Sequence, residues 1–191
     1  FFLIQFYFRI DNIMLGVLAS EREDGLYSVA FNLMEGTFFI PTIVMASIFP
    51  GLSQAKHFSA YFRKGVLLLT LSGIAGGSAV FLLAEWIIHL FFAAEFQSSA
   101  EILQILAFAI PLVFWGYLMT QSLVALDHNR IYLGITAGGV VLNVLLNFWL
   151  IPEHGASGAA VATVITEALI PFSCFLMILK HQLSSPPAHG A

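Results

Sequence analysis

The stretch Arg9-Ile10-Asp11-Asn12-Ile13-Met14-Leu15 decides how this chain folds. It sets a cation, a carboxylate and an amide inside a run, 1–19, that is otherwise rich in Phe, Leu, Ile, Met and Tyr. Lipid does not hold such groups bare: an ionised side chain at mid-bilayer costs from roughly 2.5 to over 10 kcal/mol, so these must face protein or a wet cavity and find partners there. Glu35 and Glu167 stand in the middle of two other apolar runs, and Asn143 and Asn147 in a third.

The chain around that stretch is a membrane protein by composition. Apolar residues make up 59% and charged residues 9%, against about 25% charged in an ordinary soluble domain. A single cysteine, Cys174, excludes a disulfide framework within the chain and offers no metal-binding cluster. A formal net charge of -4 gives no basic face for nucleic acid. The first residue is Phe, and the run it opens has neither the basic flank nor the small-residue cleavage site of a signal peptide, so the chain reads as a fragment of a longer protein.

A hydrocarbon core about 30 Å thick takes about 20 residues of helix. Six segments qualify, at about 1–19, 26–49, 65–92, 101–126, 131–151 and 158–179. The fold class is therefore all-α, a polytopic bundle of six transmembrane helices over 1–180, with 181–191 a disordered cytoplasmic tail of Ser, Pro, Gly and Ala. Pro41 predicts a kink in the second half of the second span, and Pro50 its end. Between Gln54 and Lys64, aromatic residues at i, i+3 and i+4 among basic ones predict a short helix in the headgroup region. Gly73, Gly76 and Gly77 in the third span predict close approach of another helix.

Lys56, Arg63, Lys64, Arg130 and Lys180 follow the even-numbered spans, while the alternate loops offer only Arg22. The positive-inside rule then puts the C-terminus in the cytoplasm. Counted from the outer end of each span at about 1.5 Å per residue, Arg9, Asp11, Glu35, Asn143 and Glu167 all come out roughly 12 to 15 Å deep, with Asn147 one turn shallower than Asn143. Asn32 shares a face with Glu35, and for it, as for Asn143 with Asn147, two readings stand side by side: extension of the layer or an interhelical hydrogen bond.

Two readings of this layer stand open. In one, Arg9 pairs with a carboxylate as static glue between helices. In the other, the groups line a substrate or ion path, with Arg9 available to an anionic group and a carboxylate able to exchange protons. Glu85 and His89, four apart near the outer end of the third span, read as an interfacial hydrogen-bonded pair. Gly155-x-x-Gly158 reads as close packing rather than a phosphate cradle. No Ser/His/Asp arrangement, H-E-x-x-H pattern or Walker loop is present, so the sequence points to no enzyme, cofactor or metal.

The opening stretch, followed by Gly25-Leu26-Tyr27-Ser28-Val29-Ala30 and Phe49-Pro50-Gly51-Leu52-Ser53, resembles the start of the C-terminal half of Wzx-like polysaccharide-biosynthesis flippases. These belong to the multidrug/oligosaccharidyl-lipid/polysaccharide exporter superfamily. Gly155 to Thr163, with Glu167, resembles the motif that opens a late helix there. The resemblance implies that this is the second lobe of a two-lobed transporter, completed by an N-terminal lobe. It implies an isoprenoid-pyrophosphate-linked oligosaccharide as substrate, flipped by alternating access across a bacterial cytoplasmic membrane, with Arg9 suited to its anionic group. A multidrug exporter of the same superfamily, a non-transporting membrane scaffold and a membrane-embedded glycosyltransferase are the alternatives. The loops are too short for the acidic sugar-nucleotide motif that a glycosyltransferase would carry.

Overall fold

The computed structural model describes the backbone of residues 2–184 and the side chains of residues 9–180. The described residues form an all-α bundle of six rods. Helix α1 is Phe2–Leu18. The second rod joins α2 (Glu21–Glu35) to α3 (Phe39–Leu52) through a 3-10 turn, Gly36–Phe38. The third is α4, Phe58–Phe91, and the fourth joins α5 (Ser99–Ala107) to α6 (Ala109–Ala125). Helix α7, Asn129–Ser184, supplies two rods because Gly155, at φ 53° and ψ -134°, is not helical. We call 129–154 its first arm and 156–184 its second. Of the tail expected to lack structure, 181–184 continue the second arm, and 185–191 lie outside the described residues.

Three runs are long and apolar enough to cross a membrane, Glu21–Leu52, Phe58–Phe91 and Asn129–Lys180, and the bent pair α5–α6 makes a fourth. The third of these runs has 52 residues, or about 78 Å of helix, enough for two crossings. Large apolar side chains turn outward along these rods: Val17 and Leu82 are each 77% exposed. That surface suits hydrocarbon, and Trp86 and Trp149, also exposed, sit toward the rod ends where interfacial indoles are common.

The interruptions have local causes. Proline cannot donate to the carbonyl four residues back. Pro41 therefore leaves the Thr37 carbonyl without a helical donor, and the break comes upstream of the proline, as the 3-10 turn, not beyond it. The Thr37 hydroxyl donates to the Met34 carbonyl at 2.7 Å and the Thr42 hydroxyl to that of Phe38 at 2.8 Å, which stitches the turn. Pro50 lies within α3, which continues to Leu52 instead of stopping there. Pro111 acts in the same way on the fourth rod, where α5 and α6 meet at 42° around Phe108. The expected headgroup helix over 54–64 is not separate. Phe58 begins a continuous 34-residue α4, and the Phe58–Phe62 ring stack forms its first turns.

The fourth rod is the core. Leu103, Leu106, Ile110, Phe114, Leu118 and Met119 on it are all fully buried. It packs against α2, α3, α4 and α7, while α1 packs against α2 and α7. Of the four α4 glycines, Gly73 and Gly77 permit the closest backbone approach of the fourth rod. A Cβ on Gly77 would stand 2.8 Å from the Ala107 carbonyl oxygen, the one that Pro111 frees, and one on Gly73 would stand 2.9 Å from the Pro111 Cα. Both obstacles are backbone. Gly77→Ala is therefore expected to cost roughly 1–3 kcal/mol by overpacking. Gly76→Ala, whose nearest neighbour is an Ile110 methyl at 3.8 Å, should cost little. Thermal unfolding of the two variants side by side checks this.

Candidate functional site

The site begins with the cap of α2. Ser20, in extended conformation, accepts the Glu23 amide at 3.3 Å, and Glu21, Glu23 and Asp24 in the first turn complement the helix dipole. One turn further on, Tyr27 is fully buried and points at α1. Its hydroxyl lies 2.8 Å from Asp11 Oδ2 and 3.0 Å from Thr163 Oγ1 on the second arm of α7. Thr163 Oγ1 is 2.9 Å from the same Asp11 oxygen. Asn147, on the first arm, donates from Nδ2 to Asp11 Oδ1 at 2.5 Å and to Asn143 Oδ1 at 3.0 Å. Asn143 itself stands within reach of the carboxylate. Asp11 is 3% exposed, Asn143 1% and Asn147 fully buried.

One buried carboxylate thus ties together three helices, α1, α2 and both arms of α7. Every ligand atom around it is oxygen or amide nitrogen. The pattern of protons shows what the group can do. With Asp11 ionised, the Tyr27 hydroxyl, the Thr163 hydroxyl and the Asn147 amide all donate to it. With Asp11 protonated on Oδ2, the hydroxyls can reverse: Asp11 donates to Tyr27, Tyr27 to Thr163, and Thr163 to the Ala159 carbonyl, which already lies 3.1 Å from it. Both charge states are satisfied without moving a heavy atom. Asn147 Oδ1, buried without a hydrogen-bond partner, adds a free hard-oxygen acceptor beside the carboxylate. Such a set suits a proton or an oxygen-ligated alkali ion better than a soft metal.

Of the residues singled out from the sequence, the structure gathers Asp11, Asn143 and Asn147. Glu167 is buried one turn past Thr163, close enough to Tyr27 to interact with it electrostatically. Arg9, Asn32 and Glu35 stand apart from the buried cluster, on exposed faces of the neighbouring helices α1 and α2. Tyr27 and Thr163 were not anticipated. A lone hydroxyl in an apolar helix carries little signal, although Thr163 is four residues before Glu167 and so shares its face. Asn12, beside Asp11, also reaches α2 and donates to Asp24 Oδ1 at 2.6 Å and Ser28 Oγ at 2.5 Å, bracing α1 on α2. His89 Nδ1 lies 3.3 Å from Gln97 Nε2, in a polar recess of about 420 Å³ that Glu85 and Glu101 also line. Gly158 has its packing explained: a Cβ there would stand 2.4 Å from the Leu150 carbonyl oxygen.

Comparison with known proteins locates this architecture. The MatE family model matches residues 1–149. "Probable low-salt glycan biosynthesis flippase Agl15" of Haloferax volcanii is 27% identical over 186 residues, 94% of this chain and 38% of that protein. "Probable flippase AglR" of the same organism is 26% identical, over 95% of this chain and 40% of that protein. "Probable multidrug resistance protein YpnP" of Bacillus subtilis is 27% identical, over 91% and 41%. The chain spans about two fifths of the length of the curated relatives it matches. No solved structure matches it.

Proposed function

Because this chain belongs to the MatE family of multi-pass membrane transporters, we propose that it is one lobe of a flippase that moves a lipid-linked oligosaccharide across the cytoplasmic membrane by alternating access. The observation that carries this reading is the Asp11 centre: a buried carboxylate satisfied both with and without a proton, bound by three helices at once. Cation uptake there alters the bonds between α1, α2 and α7 together, so an ion gradient has a means of biasing the arrangement of the lobe. The six rods make six crossings, with the basic ends, Arg63, Lys64, Arg130 and Lys180, on the cytoplasmic side.

The substrate path runs over the exposed polar face of α1 and α2. Arg9, Asn32 and Glu35 lie there, and an N-terminal lobe would enclose them. An arginine fork matches the oxygens of a pyrophosphate. The glycan-flippase names of two relatives support this substrate class over the multidrug class that a third relative's name suggests. The polar head would cross along this face while the isoprenoid tail stays in lipid.

The test is delivery of glycan to the cell surface by the full-length protein, with membrane abundance measured alongside. Arg9→Ala is expected to lower delivery several-fold, as the loss of one charge-assisted contact worth about 1.5–3 kcal/mol allows. Glu35→Gln should change it less. Normal delivery by both variants would remove the substrate path from this face.

A further inference from the structure

We infer that Glu23 is a positioning residue for the Asp11 centre, acting through the joint at Gly155. The inference rests on the reading of Asp11 as the ion centre. Glu23 belongs to α2, but its side chain leaves its own helix. Glu23 Oε2 accepts the backbone N–H of Ala156 at 2.8 Å, the start of the second arm of α7. The carboxylate also lies against the joint itself, since a Cβ on Gly155 would stand 2.5 Å from that oxygen. The adjacent Asp24 cannot take over, because it is turned to Asn12 on α1.

Glu23 and Tyr27 are four residues apart and share one face of α2. Ala156 and Thr163 are about two turns apart on the second arm. Helix α2 therefore grips the second arm at two heights, with a carboxylate at the arm's first turn and a phenol at Thr163. Two grips fix the tilt of a rod, whereas one lets it pivot. Gly155 lacks a side chain to resist pivoting. Thr163 lies roughly 10 Å from the joint, so a tilt of about 5° displaces it by about 1 Å. That is enough to carry the 2.9 Å Thr163–Asp11 contact out of hydrogen-bonding range. The grip at Glu23 thus sets how well the centre is assembled, although Glu23 touches none of its atoms.

The test is the ion dependence of thermal unfolding in the purified full-length protein. Sodium chloride is titrated against choline chloride at fixed pH, and pH is varied at fixed salt. An ion bound only by the folded state raises the unfolding midpoint as it saturates. Glu23→Ala is expected to raise the half-saturating concentration of whichever ion stabilises the protein by roughly tenfold, the scale of a lost cap. Glu23→Gln keeps an oxygen for the Ala156 N–H and should stay within about threefold of the unmodified protein. A Glu23→Ala protein that melts lower at every concentration, with half-saturation unchanged, would make Glu23 a cap and nothing more. A Glu23→Gln loss as large as that of alanine would overturn the acceptor role. Should Glu23→Ala not accumulate, Glu23→Asp keeps the charge and shortens the reach, and an unchanged half-saturation there sinks the inference equally. If instead Asp11→Asn retains the full ion dependence, the reading of the centre itself has failed, and the role of Glu23 falls with it.

Discussion

Asp11→Asn is expected to leave the lobe folded and to lower ion-driven transport roughly 5- to 150-fold, the range set by coupling energies of about 1–3 kcal/mol. The substitution preserves shape and removes only the ability to change charge. Its amide oxygen still accepts one or two of the three donors around it. Its amide N–H₂ can donate to the Tyr27 hydroxyl, which then turns toward Thr163 at 3.0 Å, while Thr163 turns to the Ala159 carbonyl at 3.1 Å. This is the hydrogen-bond arrangement of the protonated state, made permanent. Asp11→Ala is a different experiment: it deprives Tyr27, Thr163 and Asn147 of their shared acceptor. At about 1–3 kcal/mol for each group left unsatisfied, it should lower abundance before it reports on mechanism. Transport by Asp11→Asn at the normal rate, with the normal response to sodium and pH, would remove Asp11 from the coupling step.

The difference between what the sequence disclosed and what it hid has a geometric origin. Counting along each span gives depth, and depth brought Asp11 and Asn143 to one level, with Asn147 one turn shallower on the face of Asn143; the structure joins the three. Depth carries no information about direction around the helix. Arg9 and Asp11 are two residues apart, about 200° around the helix axis, so one helix cannot aim both at the same partner. Asp11 turns inward to α2 and α7 while Arg9 stays on the surface. The same holds for Asn32 and Glu35, whose face is the one α2 leaves open. Tyr27 escaped notice because a phenol inside an apolar helix looks like core, and only its position one turn from Glu23 marks it. The break at Pro41 was legible in kind but not in position, because the strain falls on the carbonyl four residues upstream, at Thr37. The break at Gly155 was legible as a boundary between the spans expected at 131–151 and 158–179, and Gly155-x-x-Gly158 as close packing. Its left-handed backbone was not, since Gly is as common in close helix contacts as in turns.

Gly155→Ala should then cost roughly 2–5 kcal/mol. Two costs combine. A φ of 53° with ψ of -134° belongs to a region that side chains with a Cβ scarcely enter, worth about 1–3 kcal/mol. The new Cβ would also displace the Glu23 carboxylate from 2.5 Å away. A flexible carboxylate moves easily, but in moving it gives up the Ala156 N–H and with it a cap worth about 0.5–2 kcal/mol. The second cost is the same one that Glu23→Ala incurs alone. The double variant Gly155→Ala/Glu23→Ala should therefore be more stable than the sum of the single losses predicts, by about one cap, whereas Gly155→Ala with Gly76→Ala should add. Reversible unfolding of the single and double variants measures both cycles. Strict additivity of the Gly155 and Glu23 losses would mean that the carboxylate does not guard the joint, and that strain in the backbone accounts for the whole effect.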